Sequence, residues 1–296
     1  MKYLHPLCAA LLFMLLFMAS TPMKAQKNRD SGYVSISSGG KMYWESQGEG
    51  TPVILVHGHT LDRRMWRTQV ECLSKHFRVV TPDMRGYGRS SKLSDSIHTT
   101  HVDDLLTLMD SLHIDKAHVV GLSMGGFITA DMVAMHPERM LSCIMASGAL
   151  RSRKGFSEPV DSAEYAEEEA RVQSNLAKGI DACREEWIEQ LVKGGGTKAE
   201  NMRSELTAII GDWDGWLLTH HEPHLYYART ALPVLKQHRP EVPALYICGD
   251  KEKKRRPGML DHLPNSRFIV IPDCGHMSNM EQPHIFNEII LNFLKK

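Results

Sequence analysis

Short apolar runs that end in turn residues recur along the chain: PVILVH from Pro52, FRVVTPD from Phe77, AHVVGLS from Ala117, LSCIMASG from Leu141, PALYICGD from Pro243 and SRFIVIPD from Ser266. Continuous apolar runs of this length suit strands covered on both faces, as in a parallel sheet. Ahead of them GYVSISSGGKMYWESQG, Gly32 to Gly48, alternates around a glycine turn and predicts a β-hairpin. Helical periodicity fills the intervals over Arg63 to Lys75, His101 to Leu112, Met124 to His136 and Gln282 to Leu294. The second of these gathers Val102, Leu105, Leu106 and Met109 on one face. Strands alternating with helices predict the α/β class: a doubly wound, mostly parallel sheet of eight strands, two of them from the hairpin.

The alternation stops between about Leu150 and Pro240, where acidic, helix-favouring sequence such as AEYAEEEARVQSNLAKGIDACREEWIEQLV runs on without a strand. Residues 150–240 are therefore expected to be an inserted helical lid, with the core formed by 26–149 and 241–296. Gly194 to Gly196 reads as a break between helices rather than a phosphate loop, because no strand precedes it.

The first residues change the picture of location. MKYLHPLCAALLFMLLFMASTPMKAQ has an early lysine, an apolar run from Leu7 to Ala19 and a small, polar tail, the layout of a secretory signal peptide over residues 1–25. The apolar run is shorter than the roughly 20 residues of a spanning helix. Export to the periplasm or the medium is expected, with no stable membrane span after cleavage.

With 296 residues, 42% of them hydrophobic, the chain can bury one large core with or without an appended unit. Its 35 basic and 35 acidic residues balance, which argues against a nucleic-acid partner. Of the 6 cysteines, Cys8 lies in the leader, and the odd number left is not a disulfide framework. Cys143 and Cys248 sit in strand-like runs as packed hydrophobes, and a Cys248 to Cys274 bridge is the one pairing considered.

The candidate chemistry begins at GLSMGG, Gly121 to Gly126. A serine alone at a helix start would serve as an N-cap. Here a strand ending at Leu122 meets a helix starting near Met124, and GxSxG at that junction is a nucleophile elbow, which lifts Ser123 above the sheet edge. A serine hydroxyl needs a base. In folds of this type the base follows the last strand, and CGHMSNMEQP supplies His276 just before the terminal helix. A carboxylate must then fix the tautomer of the histidine, and the preceding strand ends in GDKEKKRR, which offers Asp250 and Glu252. The Met124 N–H, next to the nucleophile, is one expected donor to the oxyanion.

From about Ser31 onward these motifs, in this order, resemble the α/β-hydrolase superfamily, on its serine-nucleophile esterase and lactonase side. The resemblance implies the α/β-hydrolase fold. It also implies that the acid stands three residues after the glycine closing its strand, which selects Glu252 where aspartate is commoner, with Asp250 as the alternative. HGHTLDRRMW resembles the HG-containing oxyanion loop and implies His59 as the second donor. PDMRGYGRSS supplies Asp83, Arg85 and Gly86 as scaffold for neighbouring loops. The spacing of His57 and His59, and of His220 and His224 in HHEPH, does not make a metal site: the first pair lacks a carboxylate, and Pro223 opposes a helix in the second.

Serine at the elbow separates the chain from relatives that use aspartate there. The function expected is hydrolysis of a small-molecule carboxylic ester or lactone through an acyl-enzyme, with no metal or organic cofactor. Carbon–carbon bond hydrolases and cofactor-free haloperoxidases are the alternative chemistries. A slow-turnover ligand receptor and a lid-mediated interaction protein are the non-enzymatic ones. Trp213 and Trp216, with Trp187, Tyr226 and Tyr227, are candidates for an acyl pocket or for lid packing. KEKKRR reads as a solvated loop. The oligomeric state is left open.

Overall fold

A computed structural model of the protein describes residues 28–37, 39–94, 96–150, 162–223, 225–227, 230–252 and 256–296. The expected signal peptide lies outside these residues, as do His224 and part of the KEKKRR loop.

Eight strands form one sheet in the order β1-β2-β4-β3-β5-β6-β7-β8. β1 (Arg29–Ile36) and β2 (Gly40–Gln47) are the antiparallel hairpin, and β2 joins β4 (Arg78–Pro82) antiparallel. β3 (Pro52–Val56), β4, β5 (Ala117–Leu122), β6 (Met140–Ala146), β7 (Ala244–Gly249) and β8 (Ser266–Ile271) run parallel. The side-chain period of two sends alternate residues of the central strands into two different cores. Ile54, Val56, Val119, Cys143, Met145 and Tyr246 enter one, and Val53, Leu55, Val120, Ile144, Leu245 and Ile247 the other.

Helices cover both faces. α1 (Arg67–Leu73) and α8 (Pro283–Leu294) contribute Leu73, Phe286 and Ile290 to one core; α2 (His101–Ser111) and α3 (Met124–Met135) contribute Leu105, Met109, Ile128 and Met132 to the other. α2 starts with a reciprocal cap in which Thr100 accepts from the Asp103 N–H and Asp103 from the Thr100 N–H. The helix expected over Arg63 to Lys75 is in two pieces. Arg63–Trp66 is a 3₁₀ turn, tightened because the Asp62 side chain accepts from the Arg64 N–H, and α1 continues from it.

The stretch between β6 and β7 carries α4 (Ser162–Lys178), α5 (Ile180–Lys193), α6 (Arg203–Asp212), a single turn at Trp216–Thr219 and α7 (Ala231–His238). No strand is assigned there among the described residues. Ile188, Leu191, Leu206 and Ile210 seat α5 and α6 on one core, while α7 sets Ala231 and Leu235 into the other. No disulfide joins any of Cys72, Cys143, Cys183, Cys248 and Cys274, so the Cys248 to Cys274 bridge is not formed.

Candidate active site

Because the six strands β3 to β8 are parallel, their carboxyl ends share one edge, and the loops leaving it bring distant residues together. Ser123 leaves β5 at φ +56° and ψ −111°, outside the regions open to most residues. The turn is held by close packing on glycine. A Cβ at Gly121 would strike Gly125 and Thr129, and one at Gly125 would strike the carbonyls of Val56 and His57. Both glycines let α3 lie directly across β5 and β3, which sets the serine at the crossing.

After β6, Ser147 (φ +53°) points its hydroxyl at Glu252 Oε2, 2.5 Å away. The other oxygen of Glu252, Oε1, lies 2.7 Å from His276 Nδ1. Burial pushes the carboxyl of Glu252 up, but His276, Ser147 and the Gly249 N–H together outweigh that and hold it below its usual range. Asp250, by contrast, accepts from the Cys274 backbone N–H at 3.1 Å, inside the loop that carries His276. The link back to Ser123 runs through the chain itself: Gly148 lies so close that a Cβ on it would collide with the Ser123 carbonyl. Among the described residues no hydrogen bond joins the Ser123 hydroxyl to His276; such contacts commonly tighten only in the substrate complex.

The loop after β3 lies on the other side of Ser123, with Gly58 near its Cβ. His57 is fully buried and structural: Nδ1 lies 2.8 Å from the Gly58 carbonyl, and Nε2 accepts from the Met84 N–H at 2.8 Å. That pairing fixes a neutral ring with its proton on Nδ1, and burial lowers its pKa. The Gly58 N–H is taken by Met65 Sδ at 3.2 Å. His59 Nδ1 lies 2.7 Å from the Tyr87 hydroxyl, and its ring meets Trp213 edge-on at 5.2 Å. Asp83 accepts from the Arg63 and Arg89 N–H groups, Arg85 pairs with Asp104 at 2.7 Å, and Gly86 turns at φ +89°, so all three brace loops.

Ser123, His59 and Met124 open on a cavity of about 560 Å³ roofed by the insertion. The Met124 N–H, at the first helical position, has no intrahelical acceptor. Phe127, Trp187, Trp213, Leu217 and Tyr226 give the wall its apolar part, and Arg171, Arg184, Glu186 and Glu222 its charge. Trp213 thus lines the cavity, whereas Trp216 stacks on His220 with centroids 4.2 Å apart and is not part of the wall, nor is Tyr227. Trp187 Nε1 donates to Thr60 Oγ1 at 3.0 Å, tying the roof to the loop that bears His59. Ser147 escaped the sequence reading, although the SG pair after β6 marks a turn at the right edge. Among the described residues no group of three or more His, Cys, Asp or Glu could hold a metal ion, and no helix is long and apolar enough to cross a membrane.

A family model for the α/β hydrolase fold matches residues 51–163. The 3-oxoadipate enol-lactonase 1 of Acinetobacter baylyi is 27% identical over 246 residues, 79% of this chain and 85% of that protein. A thermophilic esterase from Thermogutta terrifontis superposes with a TM-score of 0.73 at 25% identity, over 90% of this chain and 98% of that one. A bromoperoxidase from Bacillus anthracis does so with a TM-score of 0.69 at 26% identity, over 90% and 100%.

Proposed function

Since the chain belongs to the α/β-hydrolase superfamily, we propose that it hydrolyses a small-molecule carboxylic ester or lactone through an acyl-enzyme formed on Ser123. The observation that carries this is the hydrogen bond of 2.7 Å between Glu252 and His276 on the sheet edge that bears the strained Ser123.

Glu252 accepts a hydrogen bond from the Nδ1–H of His276, a proton that stays on the ring, and so leaves Nε2 as the base. His276 takes the Ser123 proton as Oγ attacks the carbonyl carbon, and the N–H groups of Met124 and His59 receive the oxyanion. The tetrahedral intermediate collapses as His276 gives its proton to the leaving alcohol. Water then attacks the acyl carbon as its proton passes to His276, and when the second tetrahedral intermediate collapses His276 gives that proton to Ser123 Oγ, so that the acid leaves and both side chains are restored. The relatives named as enol-lactonase and esterase support this substrate class. The leader-like residues 1–25 support action after export, in the periplasm or the medium.

A short p-nitrophenyl ester tests the reading. Turnover and labelling by a fluorophosphonate probe are expected in the parent chain, with kcat/KM lowered by at least about 10³-fold in Ser123→Ala. Absence of both turnover and labelling in the parent would end it. Tight ester binding without turnover is the result that would select a slow-turnover receptor instead. The bromoperoxidase likeness keeps cofactor-free haloperoxidase chemistry as a further alternative, for which peroxide-dependent bromination that ends in Ser123→Ala is the signature.

A further inference from the structure

The loop carrying His276 is gripped from two sides. On the core side Asp250 accepts from the Cys274 N–H at 3.1 Å and the Lys251 N–H donates to the Cys274 carbonyl at 2.9 Å. On the other side stands the insertion, through the turn at Gly194, Gly195, Gly196 and Thr197 that ends α5. The contact is backbone on backbone: a Cβ on Gly275 would come within 2.7 Å of the Gly195 Cα, and one on Gly196 would collide with the Asp273 carbonyl. Thr197 donates its N–H to Asp273 at 3.1 Å and its hydroxyl to the same carboxylate. Between loop and turn lies Glu281, only 3% exposed. Its Oε2 accepts from the Gly275 N–H at 2.8 Å and its Oε1 from the Gly196 N–H at 2.5 Å.

We propose that Glu281 is a positioning residue for His276, clamping the base's loop to the Gly194–Thr197 turn so that the insertion is part of the frame that aims the imidazole as well as the roof of the cavity. The proposal rests on His276 being the base. Gly275 is its immediate neighbour, so the N–H that Glu281 holds fixes the peptide from which the ring projects. A carboxyl group can accept both N–H donors at once. A glutamine offers one accepting oxygen and an amide that faces the second N–H as a donor, which leaves a buried donor unmet. Glu281 is absent from the cavity wall, so loosening the clamp should misplace the base without changing substrate contacts.

Glu281→Gln in the full chain tests this with two readouts: steady-state kinetics on a p-nitrophenyl ester, and the NMR resonance of the His276 Nδ1 proton, identified by its loss in His276→Ala. The expected result is a kcat lowered roughly 10- to 100-fold, a displacement near 1 Å being costly in a reacting pair, with KM within about twofold. The Nδ1 proton should exchange with water faster. Gly196→Ala, which leaves Glu281 intact but pushes its new Cβ against the Asp273 carbonyl, should move both readouts in the same direction, and it decides the matter if Glu281→Gln fails to fold. An unchanged resonance together with an unchanged kcat per folded molecule overturns the proposal, even where the melting temperature falls. The resonance does not need turnover, so a parent chain that cleaves no ester counts against the hydrolase reading and leaves the clamp still testable.

Discussion

Ser123 occupies φ +56° and ψ −111°, a conformation that costs a non-glycine residue on the order of 1–3 kcal/mol and persists only where the surroundings impose it. Its N–H is tied to the Ala146 carbonyl at 2.8 Å and its carbonyl is pressed by Gly148. Which carboxyl group meets His276 is also settled at this scale, by reach. Asp250 is short and spends an oxygen on the Cys274 N–H, while Glu252 extends from its loop to Nδ1 of His276. Glu252→Gln is expected to lower kcat by about 10²- to 10⁴-fold, as loss of the tautomer-fixing acid does elsewhere, with Asp250→Asn nearer the parent rate; steady-state kinetics of the two variants check this. The carboxyl pKa of Glu252 is depressed below 4.5 in the folded chain, so its pairing contributes stability that is present above pH 4.5 and lost as pH falls through the folded value. The melting-temperature gap between parent and Glu252→Gln should therefore be widest near neutrality and close on acidification below pH 4.5.

At the scale of elements, the crossing of α3 over β5 and β3 sets the geometry of Ser123. A Cβ on Gly125 has no room beside the Val56 and His57 carbonyls, so Gly125→Ala should destabilise the fold by about 2 kcal/mol or more in urea unfolding and lower kcat as well. Gly211, in α6, has nothing within 4 Å of where a Cβ would stand. Gly211→Ala should instead stabilise by about 0.5–1 kcal/mol through helix propensity. The apolar runs and glycine spacings made the strands, α3 and its elbow legible in the sequence, since both are local. The split of the expected Arg63 to Lys75 helix was not, because the Asp62 side chain competes for the Arg64 N–H in a way that periodicity does not register.

At the scale of the whole molecule, the insertion and the core build one cavity between them. Trp213 belongs to its wall and stacks on Tyr87 with centroids 6.2 Å apart, so Trp213→Ala should lower kcat/KM for a short ester by roughly tenfold, mostly through KM. Trp216→Ala, on the side that faces His220, should leave KM within about twofold. The same joining of insertion to core gives Gly194 to Gly196 a meaning beyond a helix break: the missing side chains let that turn lie on the loop of His276.

The sequence alone determined the α/β alternation, the elbow around Ser123 and the place of His276 after the last strand, because hydrophobic period and glycine spacing act over a few residues. Tertiary structure decided which carboxyl group meets His276, which aromatic rings face the cavity, and that Ser147, Glu281 and the Gly194–Thr197 turn brace the site. Those choices depend on side-chain reach and backbone approach between segments far apart in the chain, and a linear pattern carries no record of such distances.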